Sequence, residues 1–298
     1  LEGYAELASG CLTTCFLLSQ RDAACRRLRD VPNRERAQEL LPFLAKGQIF
    51  ATVGIAQLTT SRQHGKPAMT ATPEGEDYLL NGVMPWVTGA PQADYFVTGG
   101  TLDDQRQILA VIPSSTRGLS VDPPMELMAI QGSLTTSVHC ENVRVTPDQI
   151  LAGPVEKVIS KVRSGGPGGL ETSALALGLT RSAIRHLHRE GEQRPEWTET
   201  AERLRSSHDS LWNQLQTFAH GEGAAEEVIA LRGRANHLVL QATQTALTAS
   251  KGTGFLRSHP AQAWARQAMF FLVWACPRPA IEATLAGLLV GQAFQPDC

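Results

Sequence analysis

Six cysteines, eight histidines and the pair Gly252-Thr253-Gly254 are the first places to look for chemistry in this chain. The cysteines stand at Cys11, Cys15, Cys25, Cys140, Cys276 and Cys298, with no Cys-x-x-Cys pair and no accompanying His-x-x-x-His. A structural zinc site needs closely spaced sulfur and imidazole ligands, so the expectation is a reduced, cytoplasmic protein without one. Cys11 and Cys15 are four apart and could share a helix face, where two small core thiols are the plainer reading. His186 and His188 are two apart in a helical pattern, so they point to different faces and cannot hold one ion together. Arg62 and His64 could meet an anionic substrate or simply face solvent. Gly252 and Gly254 could let the backbone approach a ligand closely, or could form an ordinary turn.

These groups need elements to position them. Residues 1–46 read as helix, with Leu7, Cys11, Thr14/Cys15 and Leu18 in one stripe and Ala37, Leu40, Leu41 and Leu44 in another. Asp30-Val31-Pro32-Asn33 breaks them, and Gly47 ends the second. From residue 48 the pattern is β: short runs such as Phe50–Ala56, Tyr78–Leu80, Tyr95–Thr98 and Ile108–Ile112 alternate with turn residues. This predicts an antiparallel sandwich or barrel, with Asn81-Gly82 as a hairpin turn. After Gly153-Pro154 a glycine-rich link, 164–169, leads to helices around 175–187, 204–218, 231–246, 263–273 and 281–290. The class is therefore α+β, divided at 1–47 (helices), 48–153 (β domain) and 154–298 (helical bundle).

A net charge of −2 gives no reason to expect nucleic acid or an anionic membrane as partner. The longest apolar run, Met269 to Cys276, is eight residues and far too short for a membrane span. The chain shows no basic-then-apolar leader, and it opens at Leu1 with no Met, directly inside an apolar pattern, which gives the expectation that a natural N-terminus has been cut away or is missing.

Five stretches in order carry a resemblance. They are Leu80-Asn81-Gly82-Val83-Met84-Pro85-Trp86-Val87-Thr88-Gly89-Ala90 followed by Ala93-Asp94; Gly118-Leu119-Ser120-Val121 through Gly132-Ser133 to Glu141-Asn142-Val143-Arg144-Val145; Ala176-Leu177-Gly178-Leu179; Arg194 with Trp197; and Gly252-Thr253-Gly254-Phe255 with Pro260 and Arg266-Gln267-Ala268. In spacing and order the chain resembles the acyl-CoA dehydrogenase family. That resemblance implies N-terminal helices (here abbreviated), a central β domain, a helical bundle and bound FAD. It places Trp86 as an aromatic plane against the isoalloxazine and Thr88 as a hydroxyl at the flavin edge. It places Gln57 at the pyrimidine edge, Arg194 on the FAD pyrophosphate of a neighbouring subunit, and Gly252 and Gly254 where backbone nears the dinucleotide. A homodimer or homotetramer follows, with an electron-acceptor flavoprotein as a further partner. Each residue also has a plainer reading: Trp86 as a half-buried sheet residue, Arg194 beside Pro195 as a helix stop, the glycines as a turn.

The same alignment removes the family's usual base. Nine residues beyond Arg266, where the family carries a glutamate, stands Ala275. The alternative position for that base matches Gly168, and Gly169 stands where the family has a substrate arginine. Glu171, three residues past Gly168, is the candidate base, with a helix-dipole partner as its plainer reading. The expected function is α,β-dehydrogenation of an acyl thioester. The alternatives are a flavin monooxygenase or oxidase on the same fold, often with aromatic substrates, or a non-catalytic relative that binds a ligand.

Overall fold

A computed structural model describes residues 1–31, 35–59, 62–63, 65–161, 169–275 and 278–289, with backbone alone at 62–63 and 287–289. The helix start expected at Pro32 or Asn33, His64, the Arg62 side chain and Gly168 lie outside the described residues.

Three helices come first: α1 (Glu2–Gly10), α2 (Leu12–Arg29) and α3 (Glu35–Ala45). The stripe expected through Leu7 and Cys11 is interrupted. Cys11 is extended, with φ −155° and ψ 105°, and it is exposed, while Cys15 is buried. Cys11 is thus no core thiol. Burial acts to raise its pKa, but hydrogen bonds from Thr14 and Thr13 outweigh this and hold it below the usual thiol value. α3 ends as the glycine predicts: Gly47 takes φ +66°, its N–H reaches the Leu44 carbonyl (3.1 Å), and the Gln48 N–H reaches Phe43 (2.9 Å).

The β region runs β1 (Ala51–Gly54), β2 (Arg62–Gln63), β3 (Lys66–Pro67), β4 (Met69–Glu74), β5 (Asp77–Val87), β6 (Tyr95–Thr98), β7 (Gln107–Pro113), β8 (Leu119–Val121), β9 (Thr136–Val145) and β10 (Ile150–Val155). Two four-stranded sheets form, in the orders β1-β6-β7-β10 and β4-β5-β9-β8, with β2 and β3 as a separate two-stranded ribbon. Most neighbours are antiparallel as predicted, but β1 and β6 run parallel. One apolar cluster includes Met69, Leu80, Met84, Val87, Phe96, Ile108, Ala110, Ile112, Val138 and Val143. A second joins Val53, Val97, Leu109 and Val111 to Ala24, Leu28, Leu40 and Leu44 of α2 and α3. The sheet holding β7 is therefore covered on both faces, which is why Ile108 to Ile112 is an unbroken apolar run.

Asn81-Gly82 is not a turn. It lies inside β5, and the hairpin turns instead at Gly75, which takes φ +64° between β4 and β5. Between Leu80↔Val143 and Gly82↔Cys140 the partner strand β9 carries one extra residue, with Asn142 at φ +50°. The Asn81 amide closes this bulge: Asn142 N–H donates to Asn81 Oδ1 (2.8 Å) and Asn81 Nδ2 to Asn142 Oδ1 (3.2 Å). Gly82 is required because a Cβ there would stand 2.2 Å from the Ala68 carbonyl oxygen. Turn chemistry and bulge chemistry use the same residues, so the dipeptide alone could not separate them.

After α4 (Val158–Lys161) come α5 (Leu170–Gln193), α6 (Thr198–Ala219), α7 (Ala225–Ala249), α8 (Pro260–Ala268) and α9 (Arg278–Leu289). By packing, the chain forms two compact units, one of Leu1–Phe16, Met128–Ile130 and Pro167–Cys298, the other of Leu17–Leu127 and Gln131–Gly166. The expected boundaries follow element type, whereas packing assigns the N-terminal helices partly to each unit.

In the helical unit α5 is central, touching α1, α6, α7 and α8. Gly178 of α5 admits α1 closely, since a Cβ there would lie 2.4 Å from the Ala5 carbonyl oxygen. Arg181 ties the same helices: Nη1 reaches Glu2 (3.0 Å) and Glu6 (2.6 Å), and the guanidinium lies 4.5 Å from the Trp212 ring centroid. Its Nε donates to Nε2 of buried His208 (3.3 Å), whose pKa burial pushes below the ordinary imidazole value against the pull of Asp209. No helix among the described residues is long and apolar enough to cross a membrane, and no group of three or more His, Cys, Asp or Glu among them could hold a metal ion.

Candidate functional site

The predicted cofactor residues fall in two regions, one in each unit, and Glu171 stands apart from the second at the opposite end of α5. In the β unit they gather at the end of β5. Between Met84↔Val138 and Val87↔Thr136 it is now β5 that carries the extra residue, and Trp86 takes φ +61°. A left-handed conformation is unusual for an aromatic residue and costs about 1–3 kcal/mol. It leaves Trp86 59% exposed between two fully buried residues, Met84 and Val87. Trp86 is thus presented outward rather than packed half into the sheet.

Two residues on, Thr88 is buried. Its carbonyl accepts from the Thr52 hydroxyl (2.8 Å), and its own Oγ1 lies 3.2 Å from Thr135 Oγ1, which in turn lies 2.8 Å from Ser133 Oγ. Three hydroxyls joined by two hydrogen bonds carry three protons. One O–H is therefore left over, on Thr88, Thr135 or Ser133 according to the direction of the two bonds. Gly89, at φ +69°, donates its N–H to the Ser133 carbonyl (2.9 Å) and fixes this segment. Asp94 clasps Phe50 from the next loop, accepting its N–H at 2.7 Å.

Gln57 is placed differently from expectation. It is buried, and its amide nitrogen serves Gly54 O (2.7 Å), Thr98 Oγ1 (3.0 Å) and Gly99 O (3.1 Å). Its donor side is committed within the β unit. Only Oε1, without a hydrogen-bond partner among the described residues, is left for a ligand; the residue lines a cavity of about 20 Å³, room for one water.

In the helical unit, Arg194 and Gly252 meet. They line a cleft of about 560 Å³ with Glu190, Ala249, Ser250, Lys251 and Thr253. Arg194 caps α5. Its Nη2 donates to the Glu190 carboxylate and to the Ala249 carbonyl, and its guanidinium lies 5.9 Å from the Trp197 ring centroid. The hydrogen bond from Arg194 holds the Glu190 carboxyl below its usual pKa. Gly252 is exposed with open space where a Cβ would be, so a ligand can reach its backbone. Gly254 is buried, and a Cβ there would come within 2.6 Å of Ser250 Cβ, so it shapes the segment rather than facing the cleft. Two cations and accessible backbone suit an anionic group such as a pyrophosphate, although Glu190 offsets one of the charges and the Ser250 and Thr253 hydroxyls already donate to the Ala246 and Ser250 carbonyls (2.8 and 2.6 Å).

Behind the cleft His186 is 6% exposed, with Nε2 2.8 Å from Ser250 Oγ and 3.6 Å from Glu190 Oε1. Serine and carboxylate share one ring nitrogen, so this is no relay that could activate a serine nucleophile. Sequence reasoning missed Glu190 and Ser250 and weighed His186 only against His188, although the i, i+4, i+8 spacing of His186, Glu190 and Arg194 on one helix was there to be read.

Glu171 lies in the first turn of α5, half-buried. Ala275 stands in a turn at φ +45° after a 3-10 segment, Met269–Leu272. Its neighbours are aromatic: Trp274 stacks on Phe270 at 5.1 Å, and Phe16 meets both edge-on at 4.8 Å.

No family model matches the chain. It is 28% identical over 155 residues to YngJ of Bacillus subtilis, a protein named as an acyl-CoA dehydrogenase, covering 50% of this chain and 41% of that one. It is 22% identical over 243 residues to a 3-(aryl)acrylate reductase of Clostridium sporogenes, covering 76% of this chain and 64% of the relative. Among solved structures, butyryl-CoA dehydrogenase of Megasphaera elsdenii superposes with a TM-score of 0.82 at 17% identity, over 96% of this chain and 80% of that one. The chain thus spans 41% and 64% of the length of the two relatives named. The chain therefore has the fold of the acyl-CoA dehydrogenase structures, and its sequence similarity to proteins named as acyl-CoA dehydrogenases points the same way.

Proposed function

We propose that the chain is an FAD-dependent oxidoreductase that removes hydrogen from the α and β carbons of an acyl thioester. The observation that carries this reading is the Arg194 cleft, whose two cations and open Gly252 backbone suit a dinucleotide pyrophosphate. FAD, when bound, supplies the two-electron acceptor. Arg194 and Lys251 would hold the pyrophosphate, Trp86 would offer its ring plane, and Thr88 would donate to the flavin edge when the Thr88–Thr135–Ser133 hydroxyl chain is oriented to leave its proton free. Glu171 accepts the α proton. The FAD held at Arg194 belongs to a second copy, so the working form is a homodimer or homotetramer, cytoplasmic, with a partner flavoprotein that takes the electrons.

A second reading, a flavin monooxygenase or oxidase on the same fold, is favoured by one observation: Ala275 and its aromatic neighbours offer no proton acceptor. The visible spectrum of the purified protein tests both. A protein without a flavin band that takes up no FAD on reconstitution sinks them together and leaves the non-catalytic alternative. Anaerobic bleaching by a panel of acyl-CoAs supports the first reading. Reduction only by NADH or an external reductase, followed by oxygen uptake, supports the second. A Glu171→Gln variant that bleaches at the normal rate removes Glu171 as base.

A further inference from the structure

The last turns of α5 and its cap present His186, Glu190 and Arg194 on one stripe, with Glu190 paired to Arg194 and facing His186. The Arg194 guanidinium, the strongest anion-binding group of the cleft, is already neutralised by Glu190. Glu190 in turn faces His186 at 3.6 Å. Ser250 Oγ donates to the Ala246 carbonyl (2.8 Å), so it can only accept from His186, and neutral His186 carries its proton on Nε2. A second proton goes to Nδ1 and makes the ring a cation beside Glu190.

We propose that Glu190 is an internal counter-ion that an entering pyrophosphate must displace from Arg194, and that His186, when protonated, draws Glu190 away and eases that displacement. The proposal rests on the reading of this cleft as a pyrophosphate site, and it makes Glu190 and His186 positioning residues for Arg194. The groups facing His186 are few. From its own helix and cap they are Arg189, Glu190 and Arg194; from the end of α7, Ser250; from α8 and its cap, Trp264 (5.7 Å between ring centroids) and His259 (5.5 Å). Burial pushes His186 below the ordinary imidazole value against the pull of Glu190, so near neutral pH the ring is uncharged and Glu190 stays with Arg194. Lys251 is then the one cation lining the cleft that no described carboxylate neutralises. Pyrophosphate binding should therefore tighten as pH falls through the His186 titration.

The test uses the full chain and ADP-ribose, a pyrophosphate diester without flavin whose charge is constant across the range, titrated calorimetrically. Glu190→Gln removes the competing charge and should tighten binding about tenfold at neutral pH, the scale of one close charge pair in a partly exposed site. The wild type should bind several-fold more tightly at about pH 5.5 than at about pH 8, on either side of the usual histidine range. That rise should vanish in Glu190→Gln. Binding that is unchanged or weaker in Glu190→Gln, or a pH rise that persists in it, overturns the proposal. Arg194→Ala separates the two levels. If it binds ADP-ribose as well as the wild type does, or if neither wild type nor Glu190→Gln binds, the pyrophosphate reading has failed. If Arg194→Ala loses binding while Glu190→Gln gains none, only the counter-ion proposal has failed. The wild-type pH profile needs no variant, so it decides even if Glu190→Gln folds poorly.

Discussion

The two candidate regions prepare for a ligand in opposite ways. At the end of β5 the backbone is bent into an unfavourable conformation so that an aromatic ring faces outward and a hydroxyl chain is left with one proton to give. At the end of α5 the poised element is a charge held in check by its own helix, while across the cleft Lys251 also takes a left-handed φ of +52°. The first region stores its readiness in φ and ψ, the second in electrostatics. Substitutions should therefore read out differently, as stability in one place and as salt- and pH-sensitive affinity in the other.

The largest expected effect lies in the cleft. Arg194→Ala should lower FAD affinity about 100-fold, the scale of losing charge-assisted hydrogen bonds to phosphate, with a smaller loss at high salt. Salt-independent weakening would move the region out of the electrostatic class. Next, Thr88→Val leaves Thr135 with one hydroxyl partner in place of two. It should cost about 1–2 kcal/mol in urea unfolding and slow anaerobic flavin reduction. Trp86→Gly should raise stability by up to about 1 kcal/mol by relieving the left-handed backbone, while changing the flavin absorption band. A destabilised variant would show that the ring is held by contacts rather than by strain. The smallest effect is the pH dependence of stability. Burial depresses both His186 and His208, so the unfolded chain binds more protons than the folded one just below the ordinary imidazole pKa. Their contribution is full above about pH 6.5 and is lost as pH falls below it. Urea midpoints at about pH 7.5 and 5.5 measure this. His208→Gln, which still accepts from Arg181, should flatten part of the slope.

Much of the architecture could be read from periodicity, because a helical stripe and an alternating strand differ over ten residues. What the spacing could not show was why particular motif residues were there. Asn81, Gly82, Gly89 and Asp94 look like flavin-loop letters, yet here they close a bulge, admit a neighbouring carbonyl, turn the chain and clasp Phe50. Cys11 read as core because a stripe does not reveal a one-residue break between two helices. Gln57 read as a flavin contact because its chemistry allows it, and only the fold shows its donor side turned inward. Arg194 and Gly252 were placed from ordered motifs, but their counter-ion was overlooked because a carboxylate four residues from an arginine usually means no more than a stable helix turn.

The paired irregularities in β5 and β9 have a consequence for how such a strand can evolve. A strand assigns faces by parity: on a regular β5, Trp86 would share the inward side with Met84, and Val87 would be thrown outward. The added residue reverses the count, and the opposite irregularity near Asn142 brings the two strands back to their starting register, so that Leu80↔Val143 and Val87↔Thr136 obey the same offset. A single inserted or deleted codon here is thus a toggle that moves an indole between interior and surface while the rest of the sheet stays in step. Through that toggle, a descendant of this chain could expose or withdraw one large aromatic group without rebuilding the sandwich that carries it.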